Sequence, residues 1–582
     1  MPRLSKINLT HIVTIFLVVL GIFFRFDGLN WDENQHLHPD ERFLTMVAND
    51  MTLPNSWGEY FDQSKSSFNP ANINYKFYVY GVLPVTLTKI TAMKFGLDNY
   101  TDITQLGRFI SAFLDSANII IIFVLVRKLK NRSIVLNKKY IEWWSAGVYA
   151  MLVLPIQQSH FFTTDTFANT LILLSLFMAL PKKENRSQLP ITNILFSGLV
   201  FGLALACKIN SLYSLPLIFS FLGWHIVLTV INKKKSVWTR IGRILGYGII
   251  SAIIFFLCSY ITVRFTNPYY FQNPSWLNPE ISQLFITNIN QLKGFSDPKS
   301  LFPPGIQWHS KTPIIFPFQN IFFFGLGMPI AILMLTGLFK ISKMGILKRD
   351  LFVISIILWS VGLFTYQGAQ FVHSIRYFFP LYPFMAVFSA YAIHHITFKR
   401  KTPKKFMLLV VAGILVVWPL MFTHIYRQPH SRVEASRWIY KNIPAGSKIL
   451  TEHWDDGLPL GGTYGTSNIY HLTQLEVFAP DSIGKINKLD SQLQSADYYI
   501  MSSNRAWGSM MADYQDFPMT SQFYKELFSN QYPNYELVKE FTSYPQLCLP
   551  IIDYCIEFED QWADEAFTVY DHPKVSIFKN IK

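Results

Sequence analysis

The stretch Phe77-Tyr78-Val79-Tyr80-Gly81-Val82-Leu83-Pro84-Val85-Thr86-Leu87-Thr88-Lys89-Ile90-Thr91-Ala92-Met93-Lys94-Phe95-Gly96-Leu97 decides the fold. It is apolar enough to suggest a membrane crossing, yet it holds Pro84, Lys89, Lys94 and the threonines Thr86, Thr88 and Thr91. Were it to cross, the basic cluster Arg127–Lys139 would fall outside and every later loop would invert. Cytoplasmic loops carry an excess of Lys and Arg. The reading that keeps all basic clusters on one side lays this stretch along the outer surface as a helix.

Working outward, the basic clusters are Arg3/Lys6, Arg127–Lys139, Lys182–Arg186, Lys233–Arg243, Lys340–Arg349 and Lys399–Lys405. With all of them in the cytoplasm, about eleven spans follow. They cover residues 8–26, 107–126, 141–157, 161–181, 190–207, 210–231, 242–263, 314–339, 350–367, 377–397 and 406–424. The N-terminus is then inside and the C-terminus outside, with Asn99 external and Ser133 cytoplasmic. The first run, Ile12–Phe24, has no small-residue cleavage site after it and reads as a retained helix rather than a signal peptide.

Composition agrees. Of 582 residues, 50% are hydrophobic and only 15% charged, too few charges for a soluble chain of this length. Ile119–Val126 and Met407–Trp418 carry no charge. The net charge of +14 sits in short clusters between apolar runs, with no aromatic-interleaved basic face, so nucleic acid is set aside. Cys207 and Cys258 fall in or beside apolar runs as packing residues. For Cys548 and Cys555, in the tail, a disulfide and two free thiols are both open.

The chain divides into a membrane part, 1–428, with a first external loop over 29–106, and an extracytoplasmic part, 429–582. In the tail, Glu434–Asn442 reads as an amphipathic helix, and Ser447–Leu450, Tyr498–Met501, Glu536–Phe541 and Val575–Phe578 as strands. A small, separable α/β domain without chemistry is expected. Its His453-Trp454-Asp455-Asp456-Gly457 is read as a turn, since Asp-Gly is a turn signal.

Acidic residues and histidines crowd directly after the first span, over Arg25–Phe43. Pro39, Asp40 and Glu41 suit the first turn of a helix, and a carboxylate there, on a rigid helix start at the membrane surface, is well placed as a base. Asp165 opens the fourth span in His160-Phe161-Phe162-Thr163-Thr164-Asp165, where it also fits a capping pattern. The topology derived from basic clusters puts it on the same face as Asp40. Asp115, inside the second span, is expected to be a packed polar residue paired to Arg108. Arg25, Arg108, Lys208, Arg264 and Arg376 each stand alone near the outer end of a span. Singly, such residues snorkel to headgroups; several around one acidic site point to anion binding, with a phosphate at the membrane as the natural candidate.

Several motifs resemble glycosyltransferase family 39, the group of protein O-mannosyltransferases and aminoarabinose transferases within the C-type (GT-C) fold. His38-Pro39-Asp40-Glu41-Arg42-Phe43 resembles its Asp-Glu loop, Gly107-Arg108-Phe109 its Gly-Arg start, and Thr164-Asp165-Thr166-Phe167 its second acidic site. Gly202–Lys208 resembles its Gly-Leu-Ala…Lys segment and Arg376–Pro383 its Arg-Tyr…Pro motif. Tyr570–Val575 resembles the ending of bacterial membrane relatives. Two acidic pairs, Asp32-Glu33 and Asp40-Glu41, compete for the family's one; Pro39 and Arg42-Phe43 favour the second. The resemblance implies a GT-C-like α-helical polytopic membrane protein with a C-terminal extracytoplasmic α/β domain, in a bacterial plasma membrane. It also implies a polyprenyl-phosphate-linked sugar as donor and an acceptor protein, lipid or glycan. Asp40 would be the base, with Asp165 or Glu41 orienting; Lys208, Arg264, Arg376 and Arg108 would contact phosphate; Asp32 and His38 would contribute from the first loop.

A phosphate leaves as an anion and needs no acid, so one base with cations is sufficient for an inverting transfer. His36 and His38 beside Asp40 and Glu41 raise a divalent cation as a possible cofactor, alongside the blander reading of histidines bonded within the loop. A transporter or lipid flippase would want paired charges at the bilayer midplane; here charges gather at one surface, and no internal repeat is visible. A non-catalytic assembly or receptor protein is the other alternative.

Overall fold

The computed structural model describes residues 9–180, 189–231, 236–399, 404–549 and 554–582. The basic clusters at Arg3/Lys6 and Lys182–Arg186, and parts of two others, lie outside the described residues.

Up to about residue 427 the chain is helical. In order come α1 (Leu9–Phe26), α2 (Pro39–Asp50), α3 (Leu83–Phe95), α4 (Tyr100–Lys130), α5 (Ile141–Ala150), α6 (Val153–Ser159) and α7 (Thr164–Ala179). Then follow α8 (Ile191–Cys207), α9 (Leu215–Ile231), α10 (Val237–Thr266), α11 (Met328–Lys348), α12 (Leu351–Gly368), α13 (Tyr382–Lys399) and α14 (Lys404–Thr423). Among the described residues, 7 helices are long and apolar enough to cross a membrane, or 8 if α6 and α7, bent by 119°, make one broken span. Several of the eleven expected spans are shorter or broken. Residues 141–157 split between α5 and α6. The expected span 314–339 breaks at Gly327, whose φ of +77° starts α11 afresh, with Pro329 in its first turn.

The deciding stretch is resolved by length. Only Leu83–Phe95 is helical, 13 residues, or roughly 20 Å at 1.5 Å per residue, well short of a hydrocarbon core of about 30 Å. Gly96, at φ +71°, ends it and donates to the Ala92 and Met93 carbonyls. Lys89 is buried and bonded to Asp98 (2.5 Å) and the Asn49 carbonyl (3.1 Å). Val82, Val85 and Ala92 pack with Leu44, Val47 and Met51 of the first loop into a satellite core. The extended strap before α3 presses on the end of α8: Gly81 donates to the Cys207 carbonyl at 3.0 Å, and any β-carbon there would collide with the Ala206 carbonyl.

Two ends of the bundle differ in chemistry. On α4, Arg108 and Arg127 are separated by roughly 28 Å of helix, close to the hydrocarbon thickness. At the Arg127 end, Ser133 and the Val135 amide bond Asp350 beside the basic C-terminus of α11. At the Arg108 end lie Asp32, Asp40, Asp165, Lys208 and Arg376.

The tail continues with α15 (Ser431–Asn442), α16 (Ile483–Ser495), α17 (Arg505–Ala512) and α18 (Pro518–Phe528) around a five-stranded sheet ordered β2-β1-β3-β7-β4. Its strands are β1 (Lys448–Glu452), β2 (His471–Leu475), β3 (Tyr498–Met501), β4 (Tyr535–Phe541) and β7 (Val575–Asn580). β1 pairs parallel with β2 and β3, and β7 antiparallel with β3 and β4. β5 (Gln546–Leu549) and β6 (Tyr554–Glu557) form a separate hairpin closed by a Cys548–Cys555 disulfide.

The tail is fastened to the bundle rather than merely appended to it. Ala563 and Phe567 join Trp31, Phe161, Phe324, Trp418 and Phe422 in one apolar cluster. Gln157 of α6 donates to the Phe567 carbonyl (2.8 Å) and Asp571 (3.0 Å), and Tyr426 donates to Asp571 at 2.9 Å. His572 is buried between Asp571 (2.5 Å) and Asp560 (2.8 Å). Burial disfavours its charge, but the two carboxylates outweigh this and push its pKa up to about 10, so it stays an imidazolium.

Cysteines placed at the exposed Lys94 and Asn137 should react with an impermeant maleimide from opposite faces of sealed vesicles. Labelling of both from one face would overturn this arrangement of the two ends.

Candidate functional site

Asp40 stands in the first turn of α2, after Pro39, whose ring presets the helix start. His38 is the N-cap, and its Nδ1 accepts from the Glu41 amide at 3.2 Å. Its ring lies 4.5 Å from Phe161 and 4.3 Å from Tyr570 of the tail, centroid to centroid. Burial, only partly countered by Asp40, pulls its pKa down to about 4, and the neutral ring suits a capping acceptor. His36 Nδ1 bonds Thr104 at 3.0 Å. With both Nδ1 atoms engaged inside the loop, the two histidines act as loop braces.

The Asp40 carboxylate pairs with Arg376. Burial works against its charge, but Arg376, then His38 and Lys208, hold the carboxyl well below the usual range. Lys208, just after α8, pairs with Asp165 at 2.6 Å. Asp165 thus meets a cation, while the N-cap Thr163 makes no side-chain capping bond. Tyr377 lies beside both cations, its ring centroid 5.6 Å from Lys208 Nζ and 5.7 Å from the Arg376 guanidinium.

Two cavities meet here. A narrow cleft among the helices is lined by Asp165, Asn169, Lys208, Trp359, Arg376 and Tyr377. A wider cavity of about 580 Å³ is lined by Asp40, Tyr80, Trp308, Arg376, Tyr377 and, from the tail, Arg505, Glu565 and Tyr570. Arg376 and Tyr377 belong to both.

The other predicted residues sit elsewhere, and their roles change accordingly. Arg108 is fully buried: Nη1 and Nη2 donate to Asp32 at 3.0 and 2.8 Å, Nε and Nη2 to Glu41 at 3.0 and 2.5 Å, and Nη1 to the Leu29 carbonyl at 2.8 Å. Glu41 also accepts the Phe162 amide at 2.7 Å. Arg108, Asp32 and Glu41 are therefore a closed brace, with no donor left for a phosphate. Asp115 pairs with Arg25 at 2.7 Å, not with Arg108, and accepts from Tyr149. Arg264, 2% exposed, donates to the carbonyls of Asn273 (2.9 Å) and Asn278 (2.6 Å) and packs on Phe271, clipping its own loop.

The tail takes part in the wall. Asp564 accepts the Ile375 amide at 2.6 Å, fixing the backbone next to Arg376. Glu565 pairs with Arg505 at 3.1 Å; burial, reduced by that arginine, pushes its pKa up to about 7. Residues 453–455 form a turn, but the segment also lines the Asp40 cavity through Trp454, Asp455 and Asp456; both carboxylates hold Arg432 (2.6 and 3.0 Å), and Asp456 also reaches Arg42 at 2.8 Å. Sequence reasoning missed Tyr80, Tyr570 and the Arg505–Glu565 pair. Tyr80 lay in a stretch read for hydropathy alone.

His309, Asp513 and Asp516 bring ligand atoms within 4.8 Å of one another, a donor set that suits a divalent ion. The His309–Asp513 contact of 2.8 Å is complete as a hydrogen bond by itself, and none of the three lines the Asp40 cavity.

A polytopic helical membrane protein with a carboxylate–cation site at one end is the class that fold and site define. No protein-family model matches the chain, and no curated protein matches it. Solved structures similar to it include the Archaeoglobus fulgidus oligosaccharyltransferase in the apo form, at 12% identity and TM-score 0.49, over 89% of this chain and 73% of that one. ArnT from Cupriavidus metallidurans bound to undecaprenyl phosphate is similar at 12% identity and TM-score 0.41, over 97% of each chain. The S. cerevisiae Pmt1-Pmt2 complex bound to the sugar donor is similar at 16% identity and TM-score 0.28, over 45% of this chain and 35% of that one. At these values the likeness concerns overall shape, and function has to come from the residues.

Arg108→Met leaves two buried carboxylates uncompensated and should destabilise the detergent-purified protein by about 3–5 kcal/mol, read as a lowered unfolding midpoint. A stable variant with only weakened anion binding would return Arg108 to the phosphate contacts.

Proposed function

We propose that this chain is a membrane glycosyltransferase that moves a sugar from a polyprenyl-phosphate donor to an acceptor hydroxyl, with the site end of the bundle on the extracytoplasmic face. One observation carries the reading. Arg376 and Tyr377 lie where a cleft between helices meets an open polar cavity, with one carboxylate on one side and a second cation on the other. A lipid-linked phosphate suits the cleft: its apolar chain would lie among the helices and its anion beside Lys208 and Arg376. A hydroxyl acceptor suits the cavity, beside Asp40.

The acceptor hydroxyl gives its proton to Asp40. Its oxygen forms a bond to the anomeric carbon as the bond from that carbon to the phosphate oxygen breaks. The electron pair leaves on the phosphate, whose charge Lys208 and Arg376 stabilise. Attack opposite the leaving group inverts the anomeric centre.

Asp40 paired to Arg376 is a poor base, because its pKa is too low. A phosphate in the cleft competes for the same guanidinium and weakens that pairing, so the base strengthens when the donor is present. The arrangement favours donor binding before transfer. Charges gathered at one end, with Asp165–Lys208 and Asp40–Arg376 as neighbours, also fit a surface reaction better than transport through a midplane site.

The test is incubation of the purified full-length protein with polyprenyl-phosphate sugars, following released polyprenyl phosphate. Asp40→Asn should lower the rate roughly 10²–10⁴-fold with expression intact. Lys208→Ala and Arg376→Ala should weaken donor use by about 1.5–3 kcal/mol each. Normal turnover in Asp40→Asn would remove the base from this mechanism.

The pH profile tests the handover. The ionised form of Asp40 is active, so the rate falls as pH drops through its pKa. The acid limb of kcat/KM, which reports the free enzyme, should lie below that of kcat, which reports the donor complex. In Arg376→Ala the kcat/KM limb should move up. Coincident limbs in wild type would mean that Arg376 stays on Asp40 throughout.

A further inference from the structure

Beside the Asp40 cavity lies a second pocket of about 540 Å³, between the tail and the segment leading into the 315–325 helix. Gln307 and Glu565 line both, so the two pockets are neighbours that share these side chains. The second pocket is built differently. Its sides carry two indoles, Trp507 and the 47% exposed Trp562, together with the amides Asn504 and Gln561. Trp507 is braced edge-on against Phe528 at 5.2 Å, and Trp562 packs tilted against Phe324 at 4.4 Å. Asn504 is only 9% exposed and donates Nδ2 to the Gln561 backbone carbonyl at 2.8 Å, which orients the Asn504 amide.

Three polar atoms of these amides are left without a partner among the described residues: Asn504 Oδ1, Gln561 Nε2 and Gln561 Oε1. Buried polar atoms are normally paired, and a group of them at one pocket calls for a ligand or ordered water. Amide donors and acceptors beside ring faces, with Lys311, Glu559 and Glu565 at the same pocket, narrow the ligand. A sugar ring shows C–H faces to an indole and hydroxyl or acetamido groups to amides. For a phosphate, the carboxylates Glu559 and Glu565 outnumber the one cation, Lys311, that lines the same pocket. A peptide strand would seek an open sheet edge, and the pocket offers side chains instead.

We propose that this side pocket seats the second sugar unit of an oligosaccharide acceptor whose first unit presents its hydroxyl to Asp40. The assignment rests on the glycosyltransferase reading for the first unit only; the pocket's own ligand is read from its walls. The acceptor is then a glycan of at least two units.

The experiment uses the full-length protein in detergent micelles without donor, with saturation-transfer NMR on glucose and maltose, mannose and mannobiose, and N-acetylglucosamine and chitobiose. At least one disaccharide should bind tenfold or more tightly than its monosaccharide. Trp562→Ala and Gln561→Ala should erase that gain while leaving monosaccharide binding and polyprenyl-phosphate release without acceptor unchanged, and Trp507→Phe should preserve it. Equal binding within all three pairs overturns the proposal, as does a gain that survives both variants, or binding confined to Ser- and Thr-containing peptides. If wild type shows the disaccharide gain but releases no polyprenyl phosphate from any donor, the pocket stands as a glycan site and the transferase reading falls.

Discussion

Arg108 and the two carboxylates around it hold the Asp40 end of this molecule in shape. The guanidinium joins the loop after α1, the start of α2 and the body of α4, and through Glu41 it also fixes the backbone at Phe162, just before α7. Taking three charges out of water is expensive, and the arrangement repays it only because nearly every donor and acceptor is used. Asp40 and Asp165 are each carried on a helix start that this brace positions. The charges that brace the fold and those that line the cavities are therefore different sets, although they are of the same residue types and Asp32, Asp40 and Glu41 lie close together in sequence.

That distinction was hidden from the sequence. Isolated cations near span ends are a real signal, and Lys208 and Arg376 do face the cavities. Arg108, Arg25 and Arg264 give the same one-dimensional pattern but are consumed internally, by two carboxylates, by Asp115 and by loop carbonyls respectively. Partner choice over 67 or 76 positions of chain cannot be read from spacing. Asp40 was legible because Pro39 and the acidic turn have a local cause. That 77–97 holds no long helix was legible because Pro84, the lysines and the threonines spoil a crossing wherever they fall. The tail strands emerged from short apolar alternation, whereas β2, with four exposed residues in five, carried no such signal.

Aromatic residues do the quieter work at the site. Tyr377 lies beside both cations and lines both cavities; Tyr570 covers His38, and Tyr80 arrives on a strap made possible by a glycine against the end of α8. None of these would stand out by charge, and in a chain that is 16% aromatic they are hard to distinguish from packing.

The wedge formed by Asp560, Asp564, Glu565, Phe567, Tyr570 and Asp571 carries a consequence for biogenesis. Helices inserted during synthesis can assemble early, but the wall opposite Asp40 is supplied by residues translated more than 130 positions after the last long apolar helix. Until that segment arrives and docks between Gln157, Tyr426 and the Ile375 amide, the cleft has no partner cavity and the loop before Arg376 has no anchor. The Asp40 cavity is thus complete only once the segment 560–571 has joined the bundle, however early the helices themselves assemble.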